Sequence, residues 1–194
     1  MTAIIYAHPL EEGMNSSVLG ALVEHLQATD HPHNLIDLYR DGFQPAMTAE
    51  ERKIFFRGNG ESTDALVQKY QKILRETDHL VFIFPLWFYD APAILKGFFE
   101  RVCMPNFAYA YTPNGTAPLL THIQKLTVLT TSGAPTELYS TLSGDWVRKH
   151  FIGHIVHNFV GAVTEGDETV WLNLGPAAPN ALAAHITRIK DRFQ

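Results

Sequence analysis

The chain has 194 residues, 46% hydrophobic and 18% charged, with a formal net charge of −5 when its ten histidines are counted neutral. This length fits one domain, 1–194, that buries roughly 70% of its unfolded surface and needs neither metal nor disulfide to hold it. Lys and Arg form no cluster, which argues against nucleic acid as a partner. No apolar run reaches the roughly 20 residues of a membrane span, so stable membrane insertion is not expected. The single Cys103, with no secretory leader, places the chain in a reducing cytoplasm.

Taken in order, Thr2–Ala7 is a short apolar run that reads as a buried strand. A loop, His8–Asn15, leads into a helix over Ser16–Gln27, with Asn15 or Ser16 as its cap. His33–Leu38 reads as a second strand. Thr48-Ala-Glu-Glu51 has the spacing of a capping box at a helix start, and Gly58-Asn-Gly60 breaks that helix. Asp64–Glu76 carries Leu66, Val67, Tyr70, Ile73 and Leu74 on one helical face. His79–Phe84 is the most hydrophobic stretch and the third strand, and Pro92–Val102 is helical with Pro in its first turn. Phe107–Gly115 is an aromatic, turn-rich excursion. Gln124–Thr131 reads as the fourth strand, Asp145–His157 as a helix, Asn158–Val163 as the fifth strand and Asn180–Phe193 as a closing helix.

Regular alternation of strands and helices predicts an α/β fold. Near-continuous apolar strands predict a parallel sheet with helices on both faces. Five strands in the order 2-1-3-4-5 give the flavodoxin-like arrangement, in which ligands bind beyond the C-terminal strand ends at the switch point. Three loops lie there. The first, His8 to Ser17, lacks G-x-G-x-x-G; it reads as an N-capped helix after a His-Pro turn, or as an anion site at a helix start. The second, Pro85-Leu-Trp-Phe-Tyr-Asp-Ala-Pro92, has three consecutive aromatics that cannot all enter one core, so some of Trp87, Phe88 and Tyr89 line a cleft. The third, Thr130-Thr-Ser-Gly-Ala-Pro135, is a small-residue turn in which Gly133 permits close approach to a ligand.

The run Asp78–Val102 resembles the signature of the NAD(P)H:quinone oxidoreductases of the flavodoxin-like superfamily. Phe107-Ala-Tyr109, Ala7-His8-Pro9 with Asn15, Thr130-Thr-Ser-Gly133, Leu138-Tyr139 and Gly144-Asp145 continue the resemblance. It implies that His8, Asn15, Ser16 and Ser17 hold a flavin phosphate. Pro85, Leu86, Trp87, Phe88 and Tyr89 would flank the isoalloxazine. Thr130, Thr131, Ser132 and Gly133 would meet its other edge, and Tyr139 would lie over the substrate. It further implies a homodimer, NADH or NADPH as co-substrate, and ping-pong hydride transfer through flavin N5 to a quinone-like acceptor. The backbone of Gly133 and the hydroxyl of Tyr139 would be the catalytic groups. Other members of the superfamily regulate membrane transport proteins, or reduce azo, nitro or FMN substrates.

The chain departs from the family pattern in places. Gly13 stands where Ser is common, Glu11 and Glu12 crowd the phosphate loop, and no His follows Tyr139 closely. With no tail to cover an adenine, FMN is expected ahead of FAD. His150, His154 and His157 share a helical face, but no carboxylate or thiol joins them, so no metal is expected. Cys103 reads as a packed thiol, and no G-x-S-x-G elbow suggests hydrolase chemistry.

Overall fold

A computed structural model of the chain describes residues 1–57, 62–161, 169–174, 183, 186, 187 and 189–193. The sheet contains β1 (Thr2–Tyr6), β2 (His33–Asp37), β3 (His79–Pro85), β6 (Lys125–Thr131) and β7 (Thr169–Leu174), in the order β2-β1-β3-β6-β7. Every neighbouring pair in it is parallel. A separate antiparallel hairpin joins β4 (Tyr109–Thr112) to β5 (Gly115–Pro118) within the stretch read as an aromatic excursion. Among the described residues, no helix is long and apolar enough to cross a membrane.

The continuous apolar strands follow from burial on both sides. Successive side chains of a strand alternate between faces. Ala3 and Ile5 of β1 join Phe82 and Phe84 of β3 in one apolar cluster, whereas Ile4 and Tyr6 join Val81 and Ile83 in another. Helix α1 (Met14–Ala28) covers the second cluster with Val18, Leu22 and Leu26, spaced four apart on one face. Ile189 and Phe193 complete it. The first cluster lies under α3 (Ala65–Arg75), α4 (Ala93–Val102) and a π-wound helix, Val147–Val156, whose Phe151 reaches Phe82, Phe84 and Phe99. Helix α4 lies so close to the β2–α2 connection that a Cβ at Gly97 would overlap Pro45, and this position therefore admits only glycine.

Helix α2 (Ala49–Arg57) starts as its sequence dictates. The Glu51 amide donates to Thr48 Oγ1 at 3.1 Å, and Glu51 Oε2 accepts the Thr48 amide at 2.8 Å. Asp64 caps α3 by accepting the Leu66 and Val67 amides. Arg101 of α4 binds both caps. Its Nη2 lies 2.7 Å from Glu51 Oε1 and 2.7 Å from Asp64 Oδ2, and the Arg101 and Glu51 side chains are only 3% and 4% exposed. Burial pushes the Glu51 carboxyl up, but hydrogen bonds and charge from Arg101, with those from Thr48, outweigh it and hold the group below the usual carboxylate range.

Three sequence expectations require correction. Asn158–Val163 is not the fifth strand: His157–Val160 forms a helical turn, α6, whose Phe159 stacks on Phe99 with centroids 5.8 Å apart. So short an apolar run, Phe159-Val160 before Gly161, does not separate the two periods, and packing selects the helix. The strand lies instead at Thr169–Leu174, while residues 162 and 163 fall outside the described set. Helix α1 starts at Met14 after Gly13, so Asn15 and Ser16 lie inside it and do not cap it. Helix α5 (Thr136–Ser143) follows β6 where a loop was expected. The Gly58–Gly60 break and much of the closing Asn180–Phe193 helix fall outside the described residues.

Candidate functional site

The three loops expected to carry chemistry leave the C-terminal ends of β1, β3 and β6, which are adjacent strands. Side-chain and backbone contacts tie them together. Asn15 Nδ2 donates to Thr131 Oγ1 at 2.8 Å, joining the first loop to the third. The Leu86 amide donates to the Thr131 carbonyl at 2.7 Å, joining the second to the third. The His8 and Trp87 rings lie 6.1 Å apart, and the Tyr89 and Tyr139 rings 5.4 Å apart.

In the first loop, Gly13 adopts φ 124° and ψ −173°, a conformation essentially confined to glycine. A serine there would be strained, which explains the residue that stands in its place. Helix α1 begins without a side-chain cap. Its leading N–H groups therefore have no intrahelical acceptor and face the loop. The Ser16 and Ser17 hydroxyls donate back to the Gly13 carbonyl at 2.8 and 2.9 Å, leaving their oxygens as acceptors. His8 Nδ1 accepts the Leu10 amide at 3.2 Å. Glu11 pairs with Arg40 at 3.3 Å, which draws one of the two crowding carboxylates toward a cation.

In the second loop, Pro85 ends β3 and Leu86 is buried, so the aromatics carry the exposed surface. Trp87 and Asp90 exchange both backbone hydrogen bonds, at 2.9 and 3.0 Å, around Phe88 and Tyr89. Both central residues have positive φ, 51° and 65°. This is a type I′ turn, for which Asn-Gly is the favoured pair. Aromatic residues in the left-handed region cost about 1–2 kcal/mol each. Phe88 is fully exposed at 101%, and Trp87 and Tyr89 are also exposed. Strain and exposure of this kind cluster where function requires them. Trp87 and Phe88 also line a cavity of about 510 Å³ that reaches Phe99, Trp146 and Ile155.

In the third loop, Thr130, Thr131 and Ser132 are buried, and Ser132 Oγ donates to the Ala134 carbonyl at 2.7 Å. A Cβ placed at Gly133 would meet nothing within 4 Å, so the backbone there faces open space. Tyr139 of α5 is buried, yet its hydroxyl lacks a hydrogen-bond partner among the described residues, as does Asn15 Oδ1. Burial, with contributions from Asp90 and Tyr89, pushes the Tyr139 hydroxyl up to about 12. It therefore keeps its proton at neutral pH and acts as a hydrogen-bond donor. Sequence reasoning missed Asp90 as a neighbour of Tyr139 and as half of the Trp87 turn; its place two residues before Pro92 was the only local hint.

With this geometry in hand, comparison with known proteins is informative. The chain is 32% identical over 106 residues to the uncharacterized NAD(P)H oxidoreductase YcaK of Escherichia coli, covering 55% of this chain and 54% of that one. It therefore spans about half the length of that relative. It is 28% identical over 169 residues to human ribosyldihydronicotinamide dehydrogenase [quinone], covering 79% of this chain and 72% of that one. Its fold matches the NAD(P)H:quinone oxidoreductase from Methanothermobacter marburgensis with a TM-score of 0.83 and 27% identity, covering 98% and 95% of the two chains. Residues 1–190 match the model of the Flavodoxin_2 family, described as a flavodoxin-like fold, and the chain belongs to that family.

Proposed function

We propose that the chain is a flavin-dependent NAD(P)H:quinone oxidoreductase, acting as one domain over residues 1–194. One observation carries the reading: three loops from adjacent strands are in contact with one another around two buried polar atoms, Asn15 Oδ1 and Tyr139 Oη, that have no partner among the described residues. Orphaned buried polar groups cost stability unless something pairs with them. A tricyclic ring with hydrogen-bonding edges and a phosphate tail fits this donor set.

A flavin held there would supply the hydride chemistry between a nicotinamide and an acceptor. The chain supplies position and field. The uncapped start of α1 would hold the phosphate, with His8 and Asn15 beside it and the Ser16 and Ser17 hydroxyls turning from the Gly13 carbonyl to donate to it. The backbone N–H groups of Ser132 and Gly133, past the end of β6, would face the ring edge where negative charge collects. Trp87, Phe88 and Tyr89 shield the ring and keep water from it. Tyr139 Oη holds its proton and donates a hydrogen bond to the acceptor oxygen; water delivers the proton that the acceptor takes up. The exposed rings of Phe88 and Trp87 suit a homodimer in which a second copy closes the mouth. The buried thiol of Cys103, pushed up by burial, suits a reducing cytoplasm.

Reconstitution with FMN and with FAD tests the reading. A yellow protein that reduces a model quinone with NADH or NADPH well above free flavin is the expected result. A protein that takes up neither flavin refutes it. A yellow protein no faster than free flavin points to a regulatory subunit. The variant Tyr139→Phe is expected to lower kcat/KM about tenfold, the size of one hydrogen bond, with flavin absorbance unchanged. Its melting temperature should hold, because the deleted hydroxyl has no partner among the described residues. Full activity in this variant would remove Tyr139 from the mechanism.

A further inference from the structure

The cavity of about 510 Å³ beside the Trp87 turn is walled largely by aromatic side chains. Trp87 and Phe88 come from the turn, Phe99 from α4, and Trp146 and Phe151 from the π-wound helix and the residue before it. Two charged side chains share the space, Asp90 and Lys96. Lys96 Nζ lies 2.6 Å from Glu100 Oε1, one helical turn along α4, so its charge is already met. Asp90 differs. Among the described residues no cation pairs with it, and its Oδ1 accepts the Ala91 amide at 2.6 Å. Its backbone is held twice to Trp87, so the carboxylate is fixed at the cavity before any ligand arrives.

Aromatic rings carry partial negative charge on their faces and attract cations. An unpaired carboxylate among them adds to that field and repels anions. The proton balance points the same way. A quinone that receives a hydride must also take up a proton. The groups at hand do not release one readily: Lys96 is engaged with Glu100, and the Tyr139 hydroxyl, pushed up to about 12, keeps its proton. A flat organic cation needs no second proton, because the hydride alone discharges it.

We infer that the cavity is an acceptor site selective for flat, delocalised organic cations, and that Asp90 sets this charge preference. In the reaction A⁺ + NAD(P)H → AH + NAD(P)⁺, a C–H bond of the dihydronicotinamide breaks, and its hydrogen and electron pair form the new bond in AH. The nicotinamide is oxidised, A⁺ is reduced, and charge balances with no added proton. The product is neutral, so it loses the attraction of Asp90 and leaves, while the next cation is held. Turnover of the cation rests on the proposed flavin function; its binding does not.

The test uses Asp90→Asn, which keeps the backbone pair with Trp87 and a side-chain oxygen for the Ala91 amide. N-methylquinolinium and 1-naphthoate, two flat ions of similar outline and opposite charge, are titrated calorimetrically into the apoprotein. The parent prefers the cation, and the cation-to-anion affinity ratio falls about tenfold in Asp90→Asn. In the flavin-loaded protein, the ratio of kcat/KM for the cation methylene blue to that for the anion naphthoquinone-2-sulfonate falls by a similar factor. Added salt shrinks both ratios in the parent. Either ratio left unchanged by Asp90→Asn overturns the inference, as does a variant that weakens both ions alike, which is the mark of a structural role. Menadione turnover well above free flavin, with both ratios unmoved, removes the cation site and keeps the proposed function. A binding ratio that falls as expected, in a protein that takes up neither flavin, keeps the cation site and removes the redox function.

Discussion

Replacing Phe88 and Tyr89 together by Asn and Gly gives a protein at least as heat-stable as the parent, with kcat/KM for a model quinone lower by about 30-fold. The stability half follows from backbone geometry. Trp87 and Asp90 close a turn whose two central residues have positive φ. Asn-Gly is the pair that such a turn favours, so the substitution relieves strain and leaves the hydrogen bonds in place. The activity half follows from the side chains. Phe88 is wholly exposed, and Tyr89, half exposed, loses only its ring contact with Tyr139, which the relieved backbone strain offsets. Their contribution is contact with a bound ring or a bound acceptor. Two aromatic contacts of about 1 kcal/mol each amount to about 30-fold. Thermal melting and steady-state kinetics on one preparation decide the matter. A variant that melts early shows the rings to be structural, and one that keeps full turnover shows them to be idle.

Arg101→Met is expected to cost about 3–5 kcal/mol at neutral pH, the largest single effect on stability that the structure suggests. Methionine fills most of the volume, so lost packing is a small part of that figure. The main loss is electrostatic: Glu51 is left as a buried carboxylate with its cation removed, and Asp64 loses a 2.7 Å partner. The pH dependence has a definite sign. In the parent, Glu51 titrates below the ordinary value of 4.5, so its stabilisation is complete above that pH and is lost as pH falls through the folded value. In the variant, burial acts on Glu51 against only the Thr48 hydrogen bonds and shifts it toward the neutral acid. The gap between parent and variant should therefore start to narrow as pH falls below about 4.5 and reach its packing part only below the parent's folded value, where Glu51 is protonated in both states of both proteins. Urea unfolding at neutral and acid pH measures it. A gap that does not change with pH would mean that packing, and not charge, dominates.

Those two sites also show what the sequence made legible. The Thr48–Glu51 capping box could be read from spacing alone, because both partners lie within one helical turn. The strand order followed from apolar runs and alternation, and the order in turn located the loops where Asn15, Trp87 and Thr131 meet. Arg101 looked like an ordinary charge in the last turn of a helix. Its partner Glu51 lies 50 residues away, and no local pattern connects them. The strained turn was equally hidden, since Phe-Tyr carries none of the Asn-Gly signal that marks the type. The fifth strand was misplaced because Phe159 is apolar in either state, and its ring partners Phe99 and Tyr109 are distant in sequence.

The hydrogen bond from the Leu86 amide to the Thr131 carbonyl extends the β3–β6 ladder one step past the last strand residues and into the cleft. The floor of the cleft therefore shares the cooperativity of the sheet. Its amide should exchange with deuterium only when the central strands open globally, on the slowest timescale the molecule has. The Trp87 and Asp90 amides, held only by their own small turn, should exchange far sooner by local fraying. The entrance can thus reshape for acceptors of different outline while the base beneath it stays in register.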